Sequence, residues 1–356
     1  MECEMGRIKK TTLNINMKEF RMLVLLVSCF IAVKATAQSK VLPTKLTVAQ
    51  DGSGDYKTIQ EAVNSVRDLG QKRVTIFIKK GIYKEKLIIP TWKTAISLIG
   101  EDPANTIIRH SDFSGKDVEG GHDSFGNSKF STYTSFTVLV QGNDFIAENL
   151  TIENTAGRVG QAVALHVEAD RAAFKNCRFL GNQDTLYLAT EGSRQYYENC
   201  YVEGTVDFIF GEATVVFQNC TVKSLTDSYI TAAATRKGHE FGFVFFNCKL
   251  IAEASATKVY LGRPWRPYAK TVFVNSELGA HILPQGWDPW VGDSMFPDKD
   301  KTALYAEYKN SGPGADVSKR IRWSKQLKDQ EVKKYTVKNI LGGPDGWVPL
   351  QVISGQ

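Results

Sequence analysis

One phrase recurs along the chain and constrains its fold more than any other feature. It reads FKNCRF at 174–179, YENCYV at 197–202, FQNCTV at 217–222 and FFNCKL at 245–250, with looser copies AENLTI at 147–152 and FVNSEL at 273–278. The shared asparagines, Asn149, Asn176, Asn199, Asn219, Asn247 and Asn275, follow one another at 20 to 28 residues. A repeat of that length is the mark of a solenoid, in which each unit buries its apolar face only by stacking on the next. The flanks of each copy are short and β-branched, without helical periodicity. The expected architecture is therefore all-β, a parallel β-helix with coils stacked at the strand spacing of about 4.8 Å.

Within such coils, asparagine holds a tight turn and bonds nearby backbone groups, so a stacked asparagine row is the expected reading. Cys177, Cys200, Cys220 and Cys248 share the phase that faces the core. Stacking would bring their α-carbons within disulfide range. Cysteine also serves as a small buried apolar residue, and free buried thiols are the favoured reading of the two. No Cys-x-x-Cys and no partnered histidine points to a metal.

A solenoid needs its ends covered. Thr58-Ile59-Gln60-Glu61 reads as a capping box opening a helix to about Asp68, with Ile59, Ala62, Val63 and Val66 on one face. That N-terminal capping helix would plug the first coil. A second, more polar helix is expected from Ser324 to about Tyr335, before a Gly/Pro-rich tail. No stretch reads as a linker, so residues 38–356 are expected to form one domain.

Residues 1–37 read differently. Lys18 and Arg21 precede an apolar run from Met22 to Val33, and Ala35-Thr36-Ala37 follows. This is the pattern of a secretory signal peptide cleaved after Ala37, and the run is too short to span a bilayer, which takes about 20 apolar residues. Leu26-Val27-Ser28-Cys29 offers a rival reading, a bacterial lipobox with Cys29 lipidated. A secreted or periplasmic chain follows from the first reading and an outer-membrane lipoprotein from the second. Without residues 1–37 the chain keeps 38 Lys/Arg against 35 Asp/Glu, about +3. No basic stripe for nucleic acid is present.

Three polar positions keep the coil period. Gln161 opens QAVALHV, Asp184 lies in NQDTLY and Asp207 lies in GTVDFIFG, 23 residues apart in each step. They are expected to form a column on adjacent coils, with Gln183 beside Asp184. Val206, Phe208, Ile209 and Phe210 surround Asp207, and a carboxylate so placed must be paired or perform chemistry. Two stacked carboxylates resist double ionisation, which raises one pKa and leaves the other group charged. Arg263 in YLGRPW is the candidate cation, and Trp265 offers a flat surface for a sugar ring. Spacing alone does not separate this reading from a buried ion pair. No G-x-S-x-G, Walker loop or H-E-x-x-H occurs, and His110, His122, His166, His239 and His281 read as surface or packing residues.

Taken in order, these motifs resemble the pectin methylesterases (pectinesterases). DGSGDYKTIQEAV lies at 51–63, GIYKEKL at 81–87, TYTSFTV at 132–138, QAVAL at 161–165, QDTLY at 183–187, DFIFG at 207–211 and LGRPW at 261–265. QGWDPW at 285–290 and YAEYKNSGPGA at 305–315 extend the likeness. The resemblance implies a right-handed parallel β-helix that hydrolyses the methyl esters of polygalacturonate. Asp207 matches its nucleophile, Asp184 its acid and base, Gln161 and Gln183 its oxyanion amides, and Arg263 the arginine that orients the nucleophile. Thr132 and Trp265 match substrate contacts, with Tyr187 and Phe210 along the same groove. The implied partner is methylesterified homogalacturonan, the implied state a monomer, and no metal or organic cofactor is implied. His166, Asn182 and the alanines of YITAAATR depart from common plant patterns, and no inhibitor-like N-terminal domain is seen. A bacterial source is the expectation. The rivals are an esterase or thioesterase acting on another substrate, a pectate lyase, and a non-catalytic carbohydrate-binding solenoid.

Overall fold

The computed structural model describes residues 16–18, 21–22, 43–123 and 125–349. The chain divides into two units, Met1–Leu42 and Pro43–Gln356, and the solenoid lies in the second. The expected leader, Cys29 and the Ala37 cleavage point fall almost wholly outside the described residues. No helix among the described residues is long and apolar enough to cross a membrane.

The solenoid is a right-handed parallel β-helix, as the repeat predicts. Among the described residues its strands form sheets of eleven, seven and eight strands, and neighbours within a sheet come from successive coils. In the largest, Ala172–Lys175, Arg194–Glu198, Thr214–Gln218, Phe243–Phe246 and Lys270–Val274 lie side by side, all parallel.

That register stacks like on like. Phe174, Tyr197, Phe217, Phe245 and Phe273 form a ladder of rings whose successive centroids are 4.6, 4.8, 4.5 and 4.3 Å apart. Each of these side chains is fully buried, and burying one is worth about 2–3 kcal/mol. The turn after each rung explains the asparagines. All six adopt left-handed backbone, with φ between 51° and 56°, a conformation asparagine tolerates better than most residues. The amide of Asn176 donates to Asn149 Oδ1 at 2.6 Å. One residue on, Cys177, Cys200, Cys220 and Cys248 are buried free thiols, and the Cys200 amide donates to Cys220 Sγ at 3.4 Å.

Both ends of the solenoid are capped. Helix α1, Ile59–Ser65, opens with the Thr58/Glu61 capping box and buries Ile59, Ala62 and Val63. The Glu85 carboxylate accepts from the amides of Ile59 and Gln60, each at 2.9 Å. The helix stops before Asp68. Val66 is already extended, and the buried amine of Lys93 donates to the freed carbonyls of Asn64 and Val66. At the far end Trp287, Tyr305 and Trp323 continue the aromatic column.

The expected helix over 324–335 is corrected. Lys325–Gln326 instead pairs as the last strand of the large sheet. Only Asp329–Val332 (α2) is helical before the chain turns at Tyr335, and Thr336 caps a separate helix, α3, Val337–Leu341. Tyr335, Ile340 and Leu341 bury themselves with Tyr196, Val216 and Val244 of the large sheet, and that burial overrides continuous helix. Beyond α3, Asp345 accepts from Arg194 Nη2 at 2.8 Å and Arg171 Nη1 at 3.3 Å.

Candidate active site

The seven-stranded sheet carries the site. Leu165–Val167, Leu186–Leu188 and Ile209–Gly211 occupy its middle. Their alternation sends Leu165, Leu186 and Ile209 into the core. On the opposite face, Leu139, Tyr187, Phe210 and Ala232 join Phe136, Val163 and Ala189 in a second apolar cluster, with Trp265 and Trp290 packed at its edge. Tyr187 and Phe210 stack at 4.6 Å and 10°, and Trp265 meets Phe210 edge-on at 5.7 Å. The result is an aromatic floor, a surface suited to sugar rings.

Asp184 and Asp207 each lie two residues before a strand of this floor. The Asp184 amide donates to the Val206 carbonyl at 3.1 Å, continuing the ladder that pairs Leu186 with Ile209. The two aspartates therefore stand opposite each other on adjacent coils. Both have left-handed backbone, φ 66° and 47°, a strained state for a residue with a side chain and one that clusters at functional sites. Both are buried, at 5% and 7% exposure.

Gln161 pairs with Gln183, not with Asp184 as the 23-residue column would have it. Gln161 and Gln183 are 22 residues apart in register, whereas Leu165 and Leu186 are 21 apart. Both the Ala164 and Leu165 amides donate to the Thr185 carbonyl, so a one-residue bulge absorbs the difference. The glutamines form their own rung beside the aspartate rung. Gln161 is exposed and Gln183 half-buried.

Arg263 joins Asp207 through a fork. Its Nε donates to Oδ1 at 3.0 Å and its Nη2 to Oδ2 at 2.7 Å. The guanidinium lies between two rings, 3.8 Å from the Tyr229 centroid and 3.7 Å from that of Trp290. Gly262, just before Arg263, lets its strand lie close against the neighbouring one, because a Cβ there would meet Thr231 Oγ1 at 1.9 Å. Burial pushes the Asp184 carboxyl well above the ordinary carboxylate range, and the charge of Asp207 adds to the rise. Burial also raises Asp207, but the Arg263 hydrogen bonds and charge oppose it. Both carboxyls are thus raised, Asp184 the more, and the Arg263 fork holds Asp207.

Thr132 opens a short 3-10 turn, Thr132–Thr134. The Lys86 amine anchors that turn, donating to the carbonyls of Thr134 and Phe136 at 2.7 and 3.1 Å and pairing with Asp112 at 2.8 Å. It is Tyr133, rather than Thr132, that reaches the Tyr187 ring, at 5.4 Å. His166, in register with Tyr187 on the neighbouring strand, packs against its ring at 4.4 Å, and its Nδ1 lies 3.2 Å from the Tyr133 carbonyl. Among the described residues no group of three His, Cys, Asp or Glu is placed to hold a metal ion. Residue reading missed Tyr229 and Trp290. The second tryptophan of QGWDPW was the available signal for Trp290, and nothing local marks Tyr229.

Fold and site together define a class, the parallel β-helix proteins with a paired-aspartate site on the outer face of one sheet. Within it, the chain belongs to the pectinesterase family, whose sequence model matches residues 45–344. Pectinesterase 31 of Arabidopsis thaliana is 39% identical over 286 residues, covering 80% of this chain and 88% of that protein. Pectinesterase/pectinesterase inhibitor proteins of the same plant are 39–40% identical, over 85–88% of this chain and 42–53% of their own length. The chain thus spans about half the length of those curated relatives. Among solved structures, the pectin methylesterase from carrot superposes with a TM-score of 0.77 at 36% identity, covering 88% of this chain and 97% of that one. PemA from Erwinia chrysanthemi gives 0.73 at 32%, with 86% and 97% covered. The curated relatives named here are plant proteins, so the expected bacterial source draws no support from them.

Proposed function

We propose that the chain hydrolyses methyl esters of polygalacturonate, releasing methanol and leaving pectate. The observation that carries this reading is the grip of Arg263 on Asp207 opposite Asp184, whose carboxyl burial pushes up, on an aromatic floor. Asp207, charged and oriented, attacks the ester carbonyl, and the amides of Gln161 and Gln183 donate to the oxygen that becomes negative. Asp184 gives its proton to the departing methanol. It then takes a proton from the water that splits the acyl-enzyme, which restores both carboxyl groups. Tyr187, Phe210, Trp265 and the turn at Thr132 hold the flanking sugars. A solved relative described as a pectin methylesterase in complex with a hexasaccharide supports an oligosaccharide stretch of pectin as ligand.

The reading extends to export. The basic start, apolar run and Ala35-Thr36-Ala37 support a cleaved leader before a single domain, acting where pectin is found. The test is methanol release from highly methylated pectin by wild type, Asp207→Ala and Asp184→Ala, each shown to be folded. Release by wild type and near-total loss in both variants is the expected result. A folded wild type that releases no methanol would overturn the reading.

A further inference from the structure

Trp290 has two cations over its ring. The Arg263 guanidinium carbon lies 3.7 Å from the ring centroid and the Lys299 amine 4.2 Å. One face of an indole cannot hold both at those distances, so the ring is sandwiched. The resulting order is Tyr229, Arg263, Trp290, Lys299, a four-layer stack ending on the arginine that grips Asp207. The Lys299 side chain is wholly buried, and its amine pairs with Asp293 at 2.7 Å. Asp293 is itself fixed by accepting from the amides of Met295 and Phe296.

A buried lysine is a poor choice for packing alone, since an apolar side chain of similar volume fills the space without a desolvation cost. Burial, and the like charges of Arg266 and Arg263, work against its protonation, while Asp293 supports it. Its charge also favours the ionised form of Asp207. The groups around Asp207 are Asp184 on the neighbouring coil, Arg263, Asp288, Tyr229, Tyr305 and Lys299.

We propose that Lys299 is a positioning residue: it presses Trp290 onto Arg263, so clamping the guanidinium to Asp207, and adds a second buried positive charge behind that arginine. This rests on the reading of Asp207 as the group that attacks the ester. Lys299 acts through Trp290 and touches no reacting atom. With the clamp loosened and that charge removed, Asp207 ionises at higher pH, and the acid-side limb of activity moves up.

The test is the pH profile of kcat/KM for methanol release from highly methylated pectin, for wild type, Lys299→Met, Lys299→Gln and Lys299→Arg, with thermal unfolding of each. In Met and Gln variants the acid limb should rise by roughly half a pH unit, with kcat falling more than KM changes. Lys299→Arg should restore the wild-type limb. Met and Gln profiles that superimpose on wild type, or a uniform loss at every pH that arginine does not rescue, would overturn the proposal. Should the Met variant not fold, the Gln variant carries the test. Asp207→Ala separates the two readings. Retained release in that variant sinks the nucleophile assignment, whereas an unmoved limb in the Lys299 variants sinks only this inference.

Discussion

Arg263 and Asp207 are 56 residues apart in the chain, yet two parallel hydrogen bonds of 3.0 and 2.7 Å join their side chains. Arg263→Ala leaves the Asp207 carboxylate buried without its partner, which typically costs about 3–5 kcal/mol. It should also lower kcat by at least about a hundredfold. Lysine cannot supply the fork or lie flat between Tyr229 and Trp290, so Arg263→Lys should recover little. Denaturant unfolding and methanol release on the same preparations check both statements.

Asp184 gives a signed pH prediction. Its folded pKa is raised well above 3.8, so the folded chain binds this proton more tightly than the unfolded chain. Its contribution to stability is full below about pH 3.8 and is lost as pH climbs through the folded value. Asp184→Asn removes that loss. The variant should melt higher than wild type at neutral pH, with a flatter dependence above pH 3.8, while methanol release falls about a thousandfold. Melting curves across pH 3.5 to 7 would contradict this if the two proteins kept parallel slopes.

Gln161→Ala and Gln183→Ala should each lower kcat by about a hundredfold with KM little changed, because the amide serves the negative oxygen of the transition state. A rise in KM at constant kcat would instead make them substrate-binding residues.

The four core cysteines are free thiols. Alkylation in denaturant without reductant, read by mass spectrometry, should modify Cys177, Cys200, Cys220 and Cys248. The melting temperature should not respond to reductant. Any disulfide among the four would contradict the structure.

The solenoid was legible because stacking imposes the same demand at the same turn of every coil. Six asparagines at φ near 50° and four core-facing cysteines are the written form of that demand. Asp207 stood out because a carboxylate amid Val206, Phe208, Ile209 and Phe210 has no apolar reason to be there. The rung joining Gln161 to Gln183 was hidden, since a one-residue bulge near Ala164 shifts the coil count without leaving a trace in composition. Tyr229, Trp290 and Lys299 were hidden for another reason. They meet Arg263, directly or through one ring, by contacts between coils that no local pattern encodes. The long helix expected after Ser324 failed because propensity was read without the sheet face that Tyr335, Ile340 and Leu341 cover.

The tie between Asp345 and the pair Arg194 and Arg171 bears on how the chain carries load. A solenoid held by neighbour contacts alone peels from its ends, one coil after another. Here the segment after α3 straps back onto coils laid down about 150 residues earlier. Tension on the C-terminus would therefore enter the molecule at its middle, through Arg171 and Arg194. The coils between those arginines and α2, which carry Asp207 and Arg263, would stay slack until the strap let go.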